Sequence, residues 1–148
     1  MILISHRGNI NGPIPELENS PEYIDRTLSK KFDVEIDLWV NNGKPYLGHD
    51  EPQYPVTLDY LIERENNLWV HCKNEEALGF ALDNVFNCFY HDTDAYTLTS
   101  YGFIWAYPGS PVTCKRMFVS VLPERVNQKI DTDIYAVCTD YVKDYIDV

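Results

Sequence analysis

The sequence predicts an α/β protein: a compact, reduced (β/α) TIM-like barrel with mostly parallel strands and short or missing outer helices. Short apolar runs bounded by turn residues alternate with segments of helical spacing, a pattern typical of right-handed β-α units. Polar residues recur just after several of these runs, where such folds place their sites. The chain has 148 residues. Because a full eightfold barrel needs about 250 residues, we expect about seven or eight strands in one domain spanning residues 1–148.

The strands follow from apolar runs of strand length. They are expected at 1–5, 33–40, 68–72, 88–90, 103–106, 117–122 and 135–138, with an extended return at 44–48. Helices are expected to begin after Ser20, Thr57 and Asn74, since these residue types cap helix N-termini. A single helical turn is expected over 95–100, and a terminal helix over 141–146.

The second strand carries two carboxylates on one face. Glu35 and Asp37 lie two residues apart, and they alternate with the apolar residues at 34, 36, 38 and 40. If the apolar residues pack under helices, both carboxylates point into the barrel. Two buried like charges need a proton or a cation between them. The pattern therefore predicts a site for Mg²⁺ or Ca²⁺, the divalent cations that prefer oxygen ligands.

Five short motifs follow one another in the first third of the chain: His6-Arg7-Gly8, Glu18-Asn19-Ser20, Glu35-Ile36-Asp37, Asn42-Gly43 and His49-Asp50. Their order resembles that of the glycerophosphodiester phosphodiesterase family, one of the phosphatidylinositol-phospholipase-C-like barrels. That family carries HRG, PENT, E-x-D and D-G-x-x-V-x-x-H-D. Two weaker matches lie at 69–73 and 137–140, where the family has strands ending I-E-x-K and V-x-T-D.

The resemblance implies roles for four residues. His6 and His49 would form an acid-base pair, which suits histidine because it titrates near neutral pH. Arg7 and Lys73 would bind the phosphate of the substrate. Two alternatives remain open on the sequence: Arg7 forms a surface salt bridge, for example with Glu18, and Lys73 begins a helix in solvent.

One position departs from the family pattern and bears on the metal. Where the family has a third metal-binding carboxylate, this chain has His71. We therefore expect a divalent metal site formed by Glu35 and Asp37, in which His71 is either a third ligand or a hydrogen-bonding partner of a ligand or of metal-bound water. Imidazole suits Mn²⁺ or Zn²⁺ better than it suits Mg²⁺ or Ca²⁺, so Mn²⁺ and Zn²⁺ become alternatives if His71 is a ligand.

Other polar and aromatic residues follow strand ends. Asp50 is expected to orient His49. The remaining residues of this kind are His91, Asp92, Asp94, Trp105 and Tyr107. The polar residues either line the pocket or serve as caps and turns, and the aromatic residues either contact a substrate head group or pack at the rim.

The composition excludes several classes of protein. A net charge of −11 argues against nucleic-acid binding and against an anionic membrane surface. No stretch approaches the roughly 20 apolar residues of a membrane span, and no signal peptide is recognisable, so we expect a cytoplasmic protein. The four cysteines form no C-x-x-C pair, which disfavours a zinc knuckle and leaves disulfides open.

The sequence therefore supports two functions of different classes. The first is a metal-dependent phosphodiester hydrolase that acts on a small glycerophosphodiester-like molecule. By resemblance, a substrate hydroxyl beside the phosphate attacks first, and water completes the reaction. The second is a binding module that recognises a phosphorylated or sugar ligand with the inherited pocket. Retention of the histidines and carboxylates favours the enzyme, whereas the missing third carboxylate and the missing helices favour the binding module. The particular substrate and the oligomeric state do not follow from the sequence.

Overall fold

A computed structural model describes residues 1–131 and 133–146. Its strands, in chain order, are β1 Ile2–His6, β2 Asp33–Asn41, β3 Lys44–Leu47, β4 Tyr54–Pro55, β5 Leu68–Cys72, β6 Cys88–Phe89, β7 Tyr96–Leu98, β8 Ile104–Ala106, β9 Phe118–Val121 and β10 Ala136–Thr139. The α-helices are α1 Pro21–Leu28, α2 Leu58–Ile62 and α3 Glu75–Asp83. Short 3-10 turns cover Glu65–Asn67, Lys115–Met117, Pro123–Val126 and Val142–Tyr145.

The strands form one curled, mostly parallel sheet that makes a half-barrel. Its parallel part runs in the order β6-β5-β2-β1-β10-β9-β8. The strands β3, β4 and β7 join it through antiparallel pairings. The prediction of an α/β fold with mostly parallel strands and few outer helices is therefore confirmed at this level.

Strand β2 is the long strand on which the rest of the sheet is assembled. Along one edge it pairs first with β1 and then with β3, because Glu35 O accepts from Arg7 N and Asp37 O accepts from Gly48 N. Its other edge pairs with β5, with His71 directly opposite Asp37. Both carboxylates of β2 are thereby brought beside residues from both neighbouring strands.

The two faces of the sheet bury different clusters. The apolar residues of β2 pack on one face against helical residues such as Ile24, Leu61 and Ala77. On the other face, Ile4, Trp69, Phe89, Trp105, Val119, Val121, Ala136 and Cys138 form a second cluster with contributions from six strands. This second cluster fills the inside of the curl, as alternation along the strands requires.

Between β6 and β8 the curled sheet has no backbone ladder among the described residues. We call this gap the seam. Two aromatic rings span it, since Phe89 and Trp105 stack with their centroids 4.4 Å apart. Ser100 occupies the free edge of β6: its N–H donates to Cys88 O at 2.8 Å, and its hydroxyl accepts from Cys88 N at 3.0 Å. A stacked aromatic pair, one backbone hydrogen bond and one hydroxyl therefore take the place of a strand ladder at this point.

Two helix predictions are wrong. The segment predicted as a helical turn over 95–100 contains strand β7, which pairs antiparallel with β8. Its Tyr-Thr-Leu core suits a half-exposed strand beside an available sheet edge, which a single helical turn cannot use. The predicted terminal helix is a 3-10 turn, Val142–Tyr145.

The four cysteines all carry free thiols, so no disulfide joins them. Cys72, Cys88 and Cys138 are buried in strands, as expected of small apolar side chains. Across the described residues, no helix has both the length and the apolar character needed to cross a membrane.

Candidate active site

The candidate site lies at the carboxyl ends of three adjacent parallel strands. His6 ends β1, Glu35 and Asp37 lie in β2, and His71 lies in β5. The register places His6 opposite Glu35 and Asp37 opposite His71. Because these strands run in the same direction, their polar residues meet at one end of the curl.

Glu35, Asp37 and His71 form a buried cluster. Glu35 is 2% exposed and Asp37 is fully buried. His71 Nδ1 lies 3.2 Å from Asp37 Oδ1 and 3.8 Å from Glu35 Oε1. Two oxygens in this cluster, Glu35 Oε2 and Asp37 Oδ1, are buried without a hydrogen-bond partner. A buried acceptor without a hydrogen bond is costly unless a nearby cation satisfies it. Asp37 Oδ1 has Lys73 Nζ at 3.5 Å, whereas Glu35 Oε2 has His6 Nε2 at 4.0 Å.

Asp37 is surrounded by positive and donating groups. Asn19 Nδ2 donates to its Oδ2 at 2.9 Å, and Asn19 Oδ1 accepts from its backbone N–H. Arg7 Nε lies 2.9 Å from Oδ2, although its alignment is too poor for a hydrogen bond. Lys73 Nζ lies 3.5 Å from Oδ1. Burial alone would raise the pKa of Asp37, but His71, Arg7 and Lys73 together hold it well below its ordinary value.

Glu35 lies in the opposite electrostatic environment. Burial raises the pKa of its carboxyl, and the neighbouring charge of Asp37 raises it further. The positive groups around it offset this only in part. Without a cation, Glu35 therefore tends to hold a proton, whereas Asp37 remains ionised.

These three residues fit a divalent metal ion. One ligand atom from each of Glu35, Asp37 and His71 lies within 4.8 Å of the other two. The orphaned carboxylate oxygens supply acceptors, and His71 Nδ1 faces both carboxylates. Arg7 and Lys73 compete for Asp37, so an ion at this position would share that carboxylate with two side-chain cations.

His6 is held in a defined orientation by Asp140. His6 Nδ1 lies 2.7 Å from Asp140 Oδ1, which also accepts from Asn9 Nδ2 at 2.8 Å. A carboxylate only accepts, so Nδ1 carries the proton and Nε2 is the free nitrogen of the neutral ring. Nε2 faces Glu35, with 4.0 Å between it and Oε2. Burial opposes ionisation of Asp140, but the hydrogen bonds from His6 and Asn9 bring its pKa below the ordinary value.

His6 opens into a cavity of about 150 Å³, which we call the His6 cavity. It is lined by His6, Arg7, Glu35, His71, His91, Trp105, Tyr107, Pro108, Val121, Leu122 and Arg125. His91 stacks on His71 with centroids 5.0 Å apart, and its Nδ1 is buried without a partner. Burial, together with the charge of His71, lowers the pKa of His91.

His49 lies outside this cavity. It lines a neighbouring pocket of about 380 Å³, which shares Arg7 with the His6 cavity. Its Nδ1 lies 2.7 Å from Asp50 Oδ1, in agreement with the expected orienting role of Asp50. The His49 side chain is 42% exposed. Partial burial and the nearby charge of Arg7 lower its pKa.

For several residues the sequence left two interpretations open, one inside the site and one outside it, and the structure places some of them in each. Arg7 does pair with Glu18, at 3.2 Å, but inside the site rather than on the surface. Trp105 is only 5% exposed and packs within the curl, whereas Tyr107 is exposed at the rim. Asp92 and Asp94 are exposed and line none of the cavities described here.

Three residues of this site have a weak signal in the sequence or none. Asn9 and Arg125 belong to none of the motifs. Asp140 is the last residue of the weak match at 137–140. Its position right after a predicted strand, at the same end as His6, was the signal that could have identified it.

Comparisons with models of protein families, with curated proteins and with solved structures gave no match to this chain. The motifs and the geometry of the site are therefore what indicates a function for this chain.

Proposed function

We propose that this protein is a metal-dependent phosphodiester hydrolase for a small glycerophosphodiester-like molecule. One observation carries the proposal: the oriented His6–Asp140 pair opens beside the buried cluster of Glu35, Asp37 and His71, at the carboxyl ends of parallel strands. Phosphodiester cleavage needs a proton acceptor beside groups that stabilise negative charge. We further propose that the curled sheet is a reduced TIM-like barrel related to the glycerophosphodiester phosphodiesterase family, which the order of motifs supports.

In this mechanism His6 acts as the general base. Its Nε2 lies 4.0 Å from Glu35 Oε2, and both residues line the His6 cavity, so Nε2 would take the proton of a hydroxyl bound there. Asp140 is a positioning residue, because it fixes the tautomer of His6 and stabilises the imidazolium that forms. Arg7 reaches both the His6 cavity and the His49 pocket, where its guanidinium binds the phosphate oxygens. Lys73, through its position beside Asp37, adds positive charge to the transition state.

Glu35, Asp37 and His71 would hold the divalent metal ion, either Mg²⁺ or Ca²⁺, with Mn²⁺ or Zn²⁺ as alternatives because of the imidazole. When bound, such an ion polarises a phosphate oxygen and lowers the pKa of a coordinated hydroxyl. His49 then serves as the general acid for the leaving oxygen. Its support is its pocket on the other side of Arg7, so a phosphate bound by Arg7 would lie between the two histidines.

A second candidate function is a binding module for a phosphorylated or sugar ligand. It is favoured by a specific observation: Arg7 and Lys73 both lie close to Asp37, and His49 lies outside the His6 cavity. In such a module the same groups would recognise an anion without a complete pair of proton-transfer residues.

Turnover of bis(p-nitrophenyl) phosphate and glycerophosphocholine, with each metal and with a chelator, separates the two functions. The hydrolase should show metal-dependent turnover that falls about 10²–10⁴-fold in His6→Ala and in His49→Ala. Unfolding curves check that both variants are folded. A folded wild type that binds phosphate but hydrolyses neither diester would contradict the hydrolase and support the binding module.

A further inference from the structure

Arg125 lies where the His6 cavity meets a second groove. It belongs to the 3-10 turn Pro123–Val126, between β9 and β10. It lines the His6 cavity and also a groove of about 500 Å³, which we call the Arg125 groove. The groove is formed by Pro13, Glu124, Arg125, Asp140, Tyr141, Asp144 and Tyr145. A molecule that enters the His6 cavity and extends along this groove must pass the Arg125 side chain.

The backbone turn that presents Arg125 is fixed at several points. Leu122 precedes it in the left-handed region, at φ 46°, and its N–H donates to Cys138 O at 2.7 Å. Glu124 Oε1 accepts from Asp140 N at 3.0 Å. A non-glycine residue in this conformation is strained, and it persists only where the surroundings impose it. The turn therefore places Arg125 at the mouth of the cavity rather than on a loose loop.

Of the three cations Arg7, Lys73 and Arg125, Arg125 lies farthest from any carboxylate oxygen. Among the described residues, its nearest carboxylate oxygen is Asp140 Oδ2, at 3.9 Å, beyond hydrogen-bond distance. By contrast, Arg7 and Lys73 lie 2.9 Å and 3.5 Å from Asp37. The Arg125 side chain is also 57% exposed. Its donors are therefore free to bind an anion that enters from solvent.

The residues that line the groove indicate which kind of substituent on the anion would bind there. Tyr141 and Tyr145 contribute aromatic side chains with hydroxyl groups, and Pro13 contributes an apolar side chain. Asp144 supplies carboxylate acceptors for hydroxyl groups of a ligand. Apolar faces with a few polar groups at the margin are typical of small-molecule sites, and the volume lies within their usual range of about 300–1,000 Å³.

We propose that Arg125 binds the phosphate of the substrate and that the Arg125 groove receives one of its two esterified alcohols, a hydroxylated one such as a polyol or a sugar. This inference rests on the proposed function, because it assigns one substituent of the phosphodiester to a place. Arg125 is then a substrate-binding residue. The protein distinguishes a diester from simple phosphate because only the diester has an alcohol that contacts the groove.

The first test measures phosphate binding and diester turnover in Arg125→Gln. Arg116→Gln is the matched control, since Arg116 is exposed on another 3-10 turn and lines none of these cavities. A charge-assisted pair of hydrogen bonds is lost, so we expect inorganic phosphate to bind about 10- to 100-fold more weakly. The KM for bis(p-nitrophenyl) phosphate should rise similarly, while Arg116→Gln behaves as wild type. Equal phosphate affinity in both variants would overturn the inference.

The second test assigns the groove with a series of phosphate esters: methyl phosphate, glycerol 3-phosphate, inositol 1-phosphate and phosphocholine. Calorimetry should show the two hydroxylated esters binding more tightly than methyl phosphate. In Tyr141→Ala this advantage should fall about tenfold while methyl phosphate affinity stays the same. No advantage in the wild type, or preference for phosphocholine over both hydroxylated esters, would overturn the assignment of the groove.

Failure of this inference differs from failure of the proposed function. If diesters are hydrolysed with dependence on His6 but Arg125→Gln matches its control, the hydrolase stands and Arg125 is not a substrate residue. If no diester is hydrolysed but phosphate binding requires Arg125, the hydrolase fails. The anion site at Arg125 then stands as that of a binding protein.

Discussion

Glu35 and Asp37 lie on the same face of β2, but their pKa values are shifted in opposite directions. Asp37 is surrounded by Arg7, Lys73 and Asn19, which stabilise its ionised form. Glu35 is buried beside that charge, and one of its oxygens has no partner. Asp37 therefore favours its ionised form, whereas Glu35, in the absence of a cation, favours its protonated form.

The environment of Glu35 leads to a prediction about stability. The pKa of Glu35 in the folded state is raised above the ordinary 4.5. The protonated carboxyl therefore contributes fully to folding stability below pH 4.5, and this contribution is lost as pH rises through the folded-state pKa. In chelator at pH 7, Glu35→Gln should be more stable than wild type, by about 0.5–2 kcal/mol. The difference should disappear in acid. Urea unfolding at both pH values measures it.

Metal addition provides the control for Glu35→Gln. A divalent cation that binds the folded state should raise the stability of the wild type and have little effect on the variant. A variant that is less stable than wild type in chelator at pH 7 would show that burial of the charge is not the dominant effect.

Asp140→Asn tests the orientation of His6. An amide can donate as well as accept, so it no longer fixes the proton on His6 Nδ1, and turnover should fall about 10²–10⁴-fold. ¹⁵N NMR of His6 should show the Nδ1–H tautomer in the wild type and its loss in the variant. Asp83→Asn makes the same chemical change on the exposed end of α3 and should alter neither. An unchanged tautomer would contradict the positioning role.

His71→Glu tests whether the imidazole is a metal ligand. The substitution gives three carboxylates, so preference should shift towards Mg²⁺ or Ca²⁺ and away from Mn²⁺ or Zn²⁺, on the order of tenfold. Affinity in the wild type should fall in acid, because an imidazole must lose its proton to bind. Calorimetric titrations with each metal measure both effects. Unchanged preference and pH dependence would exclude direct ligation by His71.

At the scale of elements, the sequence predicted those whose signals are local. The alternation along β2 correctly predicted a strand with its apolar face under helices. The caps at Thr57 and Asn74 were also correct, since each side chain accepts from a backbone N–H of the first helical turn. Strand β7 was missed because its three residues become a strand only through the edge of β8, a partner that a sequence window does not show.

The seam between β6 and β8 yields a prediction about Ser100. Its hydroxyl donates to Phe86 O at 2.8 Å and accepts from Cys88 N at 3.0 Å, so Ser100→Ala leaves two backbone groups unpaired. We expect a loss of about 1–3 kcal/mol in the free energy of unfolding and faster amide exchange at Cys88. Ser29→Ala removes an exposed hydroxyl bond to Arg26 O and should cost less than about 0.5 kcal/mol. Equal effects would contradict a role for Ser100 in closing the seam.

At the scale of the whole molecule, the groups of the site that were predicted lie in the first half of the chain. His6, Glu35, Asp37 and His71 could be grouped because residues at the ends of parallel strands meet at one edge. Arg125 could not be placed, because its position depends on an irregular turn with Leu122 in the left-handed region. Long-range placement of irregular backbone has no periodic signal in the sequence.

The pairing of the first strand with the last has a consequence for the newly made chain. Strand β1 finds its β10 partner, and His6 finds Asp140, only across a separation of 134 residues. During translation, one edge of β1 stays open until residues 136–140 leave the ribosome, and an open edge invites wrong pairing. Such distant contacts also slow folding. The His6–Asp140 contact cannot form before residue 140 has been made, so a nascent or truncated chain would carry the motifs of the site without the orientation that Asp140 gives to His6.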